Sequence, residues 1–347
     1  MTEQTSPFPW SAGAATGVGS MPGTDAAEAC RVVFGELPDL PHLPELPDRG
    51  PGADLTGRTA ALLVDLPVQT TPRGWQLADR PGRDLTRAAS YWSQDLDALE
   101  EIADGYRGPL KIQVCGPWTL ASTLELSRSL NPALADPSAV ADLTASLAEG
   151  LANHAADVRR RIPGATLIVQ LDEPALPAAL AGRVPTASGF NVVGAVDQAV
   201  AGQRLEAVLS AAGAFTVVHC CHQEVPFPLL KAAGASAVSF DLAVLRNSDI
   251  DLVAELADTG LALFAGALPT SSAQRLDGGP PLAPRQTAEQ VVTLWRRTGL
   301  ASARLAEQVV ITPACGLAGV SPVAARAALA HCRDAARIAP ELIEEGA

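Results

Sequence analysis

Residues 214–221 read Ala-Phe-Thr-Val-Val-His-Cys-Cys, and His222 follows directly. The run is apolar and β-branched, then ends on an imidazole and two thiols. Short apolar runs rich in Val, Ile and Phe fit strands buried on both faces, as in parallel sheets. Reactive side chains at the end of such a run match barrels that carry their chemistry at the C-terminal ends of the strands.

Seven further runs share this character: 14–20, 61–67, 109–116, 166–173, 236–242, 261–268 and 308–315. Several end on polar or thiol residues: Gly19-Ser20, Asp65, Cys115-Gly116, Asp172-Glu173-Pro174, Asp241 and Cys315-Gly316. Helical patterns fill the gaps, at 24–35, 84–104, 137–161, 197–212, 223–233, 249–258, 286–301 and 321–338. The segment 137–161 is the clearest. Asp136 suits the N-cap and Pro137 the first helical position. Val140, Leu143, Leu147, Leu151 and Val158 form an apolar stripe, and His154 falls on it as a packed residue. One strand followed by one helix, repeated eight times, predicts an α/β chain folded as a single (β/α)8 TIM barrel over 14–338. Residues 1–13 and 339–347 read as tails, and the Pro-rich stretch 36–52 and the stretch 271–285 as loops.

Composition narrows the function. Hydrophobic residues make up 48% of the 347, enough for a large core. The net charge of −13 argues against nucleic acid or an anionic membrane as partner. No apolar run approaches the ~20 residues of a membrane span. The start, MTEQTSPFPW, lacks the basic and apolar regions of a signal peptide, so a cytoplasmic location is expected. Lysine occurs only at positions 111 and 231.

The six cysteines (Cys30, Cys115, Cys220, Cys221, Cys315, Cys332) do not form a secreted disulfide framework. Of five histidines, His219 and His222 bracket Cys220-Cys221, which points to metal binding. Strand alternation puts His219 and Cys221 on one face and Cys220 and His222 on the other. Either pair suits a metal, so spacing leaves the choice open. Asp241 and Cys315, at the ends of other strands, are able to join His219 and Cys221 at the barrel mouth. One imidazole, two thiolates and a carboxylate form a tetrahedral zinc set.

Four segments together resemble the catalytic barrel of the cobalamin-independent methionine synthase family, within the wider uroporphyrinogen decarboxylase-like superfamily. They are Gly17-Val18-Gly19-Ser20-Met21-Pro22, Gln170-Leu171-Asp172-Glu173-Pro174-Ala175-Leu176, His219-Cys220-Cys221, and Pro313-Ala314-Cys315-Gly316-Leu317. The resemblance covers roughly 14–335. It implies a methyltransferase that converts homocysteine to methionine, with Zn²⁺ held by His219, Cys221 and Cys315. Asp241 would stand where the family carries a glutamate ligand. Gly19 and Ser20 would hold the homocysteine carboxylate, and Asp172, helped by Asp65, its ammonium. Asp172 and Glu173 are the catalytic carboxylates this match implies. The implied methyl donor is methyltetrahydrofolate, with a methylated corrinoid protein as the alternative. The family's histidine after the seventh strand has no counterpart in Ala265–Thr270. A uroporphyrinogen decarboxylase-like enzyme needs no metal, and a non-catalytic zinc-holding barrel needs no amino-acid pocket. The combined metal and Ser20/Asp172 elements therefore favour the methyltransferase over both.

Overall fold

The computed structural model of the protein describes residues 7–270 and 283–345. An antiparallel hairpin, β1 (Val68–Thr71) and β2 (Gly74–Leu77), stands apart from the main sheet. The main sheet has six parallel strands in sequence order. They are β3 (Gly108–Cys115), β4 (Ala165–Asp172), β5 (Phe215–His219), β6 (Ala237–Asp241), β7 (Ala262–Leu268) and β8 (Val309–Pro313). All six coincide with apolar runs picked out by their composition, and helices lie between them. The fold is therefore α/β with a parallel sheet. The longest helix, Pro137–Arg161, starts where expected, with the Asp136 carboxylate accepting from the Ser138 and Ala139 amides. His154 of this helix is buried against the Trp92 ring, 4.3 Å between centroids. The last helix, Pro322–Glu345, runs beyond position 338.

The expected first two strands differ. Residues 14–20 form no regular strand, but bridge β8 in parallel fashion at Ala15–Ile311. Glycines at 17 and 19 remove the side chains that stabilise a strand and let neighbours approach closely. A Cβ at Gly17 would run into the His42 ring, and one at Gly19 would lie 2.9 Å from Gln113. Residues 61–67 are not a strand either. They follow a short helix, Leu55–Ala60, and Asp65 takes a left-handed φ of +57°, which an extended strand does not allow. Their backbone runs against the Pro137–Arg161 helix, where the Ser146 hydroxyl donates to the Val64 carbonyl at 2.7 Å and a Cβ at Gly150 would collide with the Leu62 carbonyl.

The edge beside β3 is occupied instead by residues 41–45 of the Pro-rich stretch. His42 bridges Lys111, and Ser20 bridges Glu45. Leu43 donates its amide to the Lys111 carbonyl at 2.9 Å, and Glu45 to Gly19 at 3.1 Å. Prolines at 41 and 44 lack the N–H that a regular ladder needs, which hides this pairing from a composition-based reading. Residues 14–20 and 41–45 thus link the two open edges of the sheet.

Two apolar clusters sandwich the strands. The larger lies between sheet and helices. The smaller includes Ile168 and Val217, which share a strand face with Asp172 and His219. Trp10 closes this inner cluster. It meets Phe215 and Phe264 edge-on, at 5.1 and 5.3 Å, and donates Nε1–H to the Glu307 carbonyl at 2.8 Å. The expected loop at 271–285 lies outside the described residues, except for its last three. Among the described residues, no helix is long and apolar enough to cross a membrane.

Trp10 is 3% exposed, so its removal leaves a cavity at the closed end of the sheet. Trp10→Ala is expected to destabilise the fold by about 3–5 kcal/mol in denaturant titration, with metal content of the folded protein unchanged.

Candidate metal centre and amino-acid pocket

β5 ends at His219, and the chain beyond it carries Cys220 and Cys221. The pleat directs the His219 ring to the concave face, where its Nδ1 lies 2.9 Å from Ser239 Oγ on β6. The other ring nitrogen, Nε2, is buried with no hydrogen-bond partner. Cys221 lies 3.8 Å, sulfur to sulfur, from Cys315, which follows β8. One ligand atom from each of His219, Cys221 and Cys315 lies within 4.8 Å of the others. A buried, orphaned imidazole nitrogen beside two thiols is the donor set of a soft or borderline metal such as zinc. The hydrogen bond from Cys221 and the neighbouring His219 ring pull the Cys315 thiol down to about 4. The same hydrogen bond, together with burial, pushes Cys221 up.

The alternation left open by spacing is decided here. Cys220 is fully buried, its thiol raised to about 12 by burial. The His222 Nδ1 accepts from the Glu224 amide at 3.1 Å. Neither joins the cluster. Asp241 does not join it either: its Oδ1 accepts from the Ala243 amide at 2.8 Å, capping the turn after β6. Its carboxyl is raised chiefly by burial, with Cys315 and His219 also felt.

His219, Cys221 and Cys315 line one side of a cavity of about 210 Å³. That is below the ~300–1,000 Å³ of drug-sized pockets and suits a small metabolite. Ser20, Glu45 and Asp172 supply its other polar side chains, with Gly19, Gly316 and apolar residues such as Val18, Leu55 and Pro174 completing the wall. Gly316 is needed there because a Cβ would collide with the Ser20 hydroxyl. Leu317 donates its amide to the Ser20 carbonyl at 2.8 Å, joining the Ser20 turn to the Cys315 turn.

Two expected site residues lie elsewhere. Asp65 is exposed and absent from the cavity wall, because the run that carries it is a turn rather than a strand. The second carboxylate beside Asp172 is Glu45. Glu173 is fully buried but absent from the cavity wall. Its oxygens accept from the Trp118 amide at 2.9 Å and from the Thr119 amide and hydroxyl at 2.7 Å. It caps the helix Pro117–Thr123 and so holds that helix against the sheet. Trp118 is likewise a packed residue, with Nε1–H donated to Ala201 at 3.0 Å.

Sequence reasoning missed Glu45 and the polar layer under the cavity, made by Lys111, Gln113 and Gln170. One signal for the layer was present: Lys111 interrupts an apolar strand in a chain with two lysines. Glu45 gave none, since its extended segment reads as loop. Burial raises Glu45 to about 7 against the pull of Arg58, which lies 3.5 Å away. Asp172 is also raised by burial, with His219 and Lys111 opposing.

Residues 13–338 match the family described as cobalamin-independent synthase, catalytic domain. Among solved structures, a B12-independent methionine synthase from Shewanella sp. W3-18-1, in complex with selenomethionine, superposes with a TM-score of 0.58 at 13% identity. The match covers 96% of this chain and 99% of that one, so the two are nearly coextensive. A β-mannanase from the blue mussel Mytilus edulis is more distant, at TM-score 0.47 and 10% identity over 92% of this chain and 91% of that one. No curated protein matches the sequence. The match over 13–338 settles the assignment: the chain belongs to the cobalamin-independent synthase family, as its catalytic domain, and is a methyltransferase of the methionine synthase type.

Proposed function

We propose that the protein transfers a methyl group to the thiol of homocysteine, forming methionine, at a zinc centre held by His219, Cys221 and Cys315. The observation that carries this reading is the pairing of a His/Cys/Cys cluster with two buried carboxylates and Ser20 around one small cavity. Zinc hydrolases favour His-rich ligand sets, and a metal store needs no polar pocket opposite its metal. We read residues 14–20 and 41–45 as the two staves that complete a (β/α)8 barrel around the site.

Zn²⁺ bound there would supply the means to keep a substrate sulfur as thiolate, since a free thiol with pKa near ~8.5 is mostly protonated at neutral pH. The chain's own residues do the rest. Ser239 fixes the His219 ring through Nδ1, leaving Nε2 for the metal. Asp241, close enough to feel Cys315 and His219 but engaged by the Ala243 amide, is the carboxylate that would complete a four-ligand set. Ser20 and the Gly19 backbone receive the substrate carboxylate, and Glu45 and Asp172 its ammonium. These contacts at both ends aim the sulfur for in-line attack on the methyl group, whose bond to the donor breaks as the sulfur–carbon bond forms and the demethylated donor leaves, and such positioning carries much of the rate. The donor we assign is methyltetrahydrofolate, the family default, with a methylated corrinoid protein as the competing source. Ligating thiols must stay reduced, which fits a cytoplasmic location.

Three outcomes are expected. Purified protein should contain about one zinc per chain by elemental analysis, and Cys221→Ser and Cys315→Ser should lose most of it. Full metal retention in both variants would refute the centre. Incubation with homocysteine and methyltetrahydrofolate should yield methionine by mass spectrometry. Methionine from methylcobalamin alone would reassign the donor, and none from either would remove the reaction. Finally, an ammonium needs an ionised partner, and Glu45 is raised to about 7. As pH falls through that value Glu45 protonates, so KM for homocysteine should rise. Glu45→Gln should raise KM at neutral pH and abolish this limb of the KM–pH profile.

A further inference from the structure

Lys111 lies in the middle of β3 with no solvent exposure. Its ammonium has three hydrogens to donate and three acceptors within reach. They are the Val18 carbonyl at 2.7 Å, Gln170 Oε1 at 2.8 Å and Gln113 Oε1 at 3.4 Å. An ammonium can only donate, so both glutamine oxygens must face it. Their NH₂ groups are therefore forced outward. Gln170 Nε2 donates to Asp172 Oδ1 at 2.7 Å and to Val18 at 2.9 Å. Gln113 Nε2 donates to the Leu43 carbonyl at 2.5 Å.

The spacing repeats. Val18, Leu43 and Gln170 each precede by two positions a residue of the cavity wall: Ser20, Glu45 and Asp172. In extended chain, positions two apart share a face. A single buried cation, directly at Val18 and Gln170 and through Gln113 at Leu43, thus grips three segments two positions before Ser20, Asp172 and Glu45. We infer that Lys111 is the positioning residue of the ammonium-binding end of the cavity, acting through the amide orientations of Gln170 and Gln113 to hold Asp172 and Glu45 in register. Burying a lysine carries a large desolvation cost, and its pKa is drawn down to about 8 here. That cost is offset by the three acceptors and the nearby carboxylates. The consequence is selectivity: the pocket favours thiols that carry an α-ammonium over thiols that lack it.

This inference rests on the reading of the cavity as a homocysteine site, and the test separates the two. Calorimetry on the full-length, zinc-loaded protein would compare homocysteine with 4-mercaptobutanoate, which keeps the thiol and carboxylate but lacks the ammonium. In Lys111→Met the Kd for homocysteine should rise about tenfold, the loss expected for hydrogen bonding to charged groups. The Kd for 4-mercaptobutanoate should change less than threefold. Gln170→Leu should show the same ammonium-selective loss. The double variant should lose no more than the weaker single, because both break one relay. Equal losses for the two ligands, or an unchanged ratio in both variants, would overturn the inference. If Lys111→Met does not fold, Gln170→Leu decides alone by the same ratio. Wild-type protein that binds neither ligand overturns the functional reading and the inference with it.

Discussion

Asp172, His219 and Ser239 sit on one row of the parallel sheet, each paired in register with the next. Successive side chains along a strand alternate between faces, so that row aims all three at the concave side. From this register follow the Ser239–His219 contact, the orientation of Nε2 and the place of Asp172 beside the His/Cys/Cys cluster. A slip of one residue in β5 would carry His219 to the helix side and leave the thiols without an imidazole partner. The continuous apolar packing on both faces of the strands opposes such a slip. The core between sheet and helices and the small inner cluster under Trp10 are therefore what keep the site assembled.

The interior of the sheet is graded along the strands. The Trp10 end is apolar, the middle is polar, and the far end carries ionisable groups and thiols. Polar groups in such a place are costly unless paired. Lys111, Gln113 and Gln170 satisfy one another and three chain segments, and Arg58 reaches Glu45 from the side while pairing with Asp95. The guanidinium of Arg58 also lies over the Trp92 ring, 3.6 Å from its centroid, a favourable setting for a desolvated cation. The carboxylates facing the cavity are thus kept in a low-dielectric setting, where a cation would be attracted more strongly than in water.

The histidine–cysteine run, the Asp172 segment and the Cys315 turn were legible because each lies at the end of an apolar strand, where periodicity of two and residue chemistry coincide. Six of the eight expected strands and the capped helix at 137–161 followed from the same local signals. Residues 61–67 misled for a physical reason. A short apolar run is equally at home packed under a helix, and only the left-handed Asp65 reveals the turn. Glu173 lies off the cavity wall because its buried carboxylate is engaged by the Trp118 and Thr119 amides, a long-range contact that its sequence neighbourhood does not display.

Local pattern alone determined the α/β class, the strand ends that carry reactive groups and the short set of thiols and imidazoles from which donors are drawn. Those properties depend on side-chain chemistry and short-range periodicity, which a linear chain displays. Tertiary structure decided which donors meet, that Glu45 rather than Asp65 shares the cavity with Asp172, and that Lys111 lies beneath both. Glu45 and Lys111 come together because a proline-interrupted segment bridges β3 with only the few amides it has free. Long-range pairing of that kind leaves no periodic trace in the residues that make it.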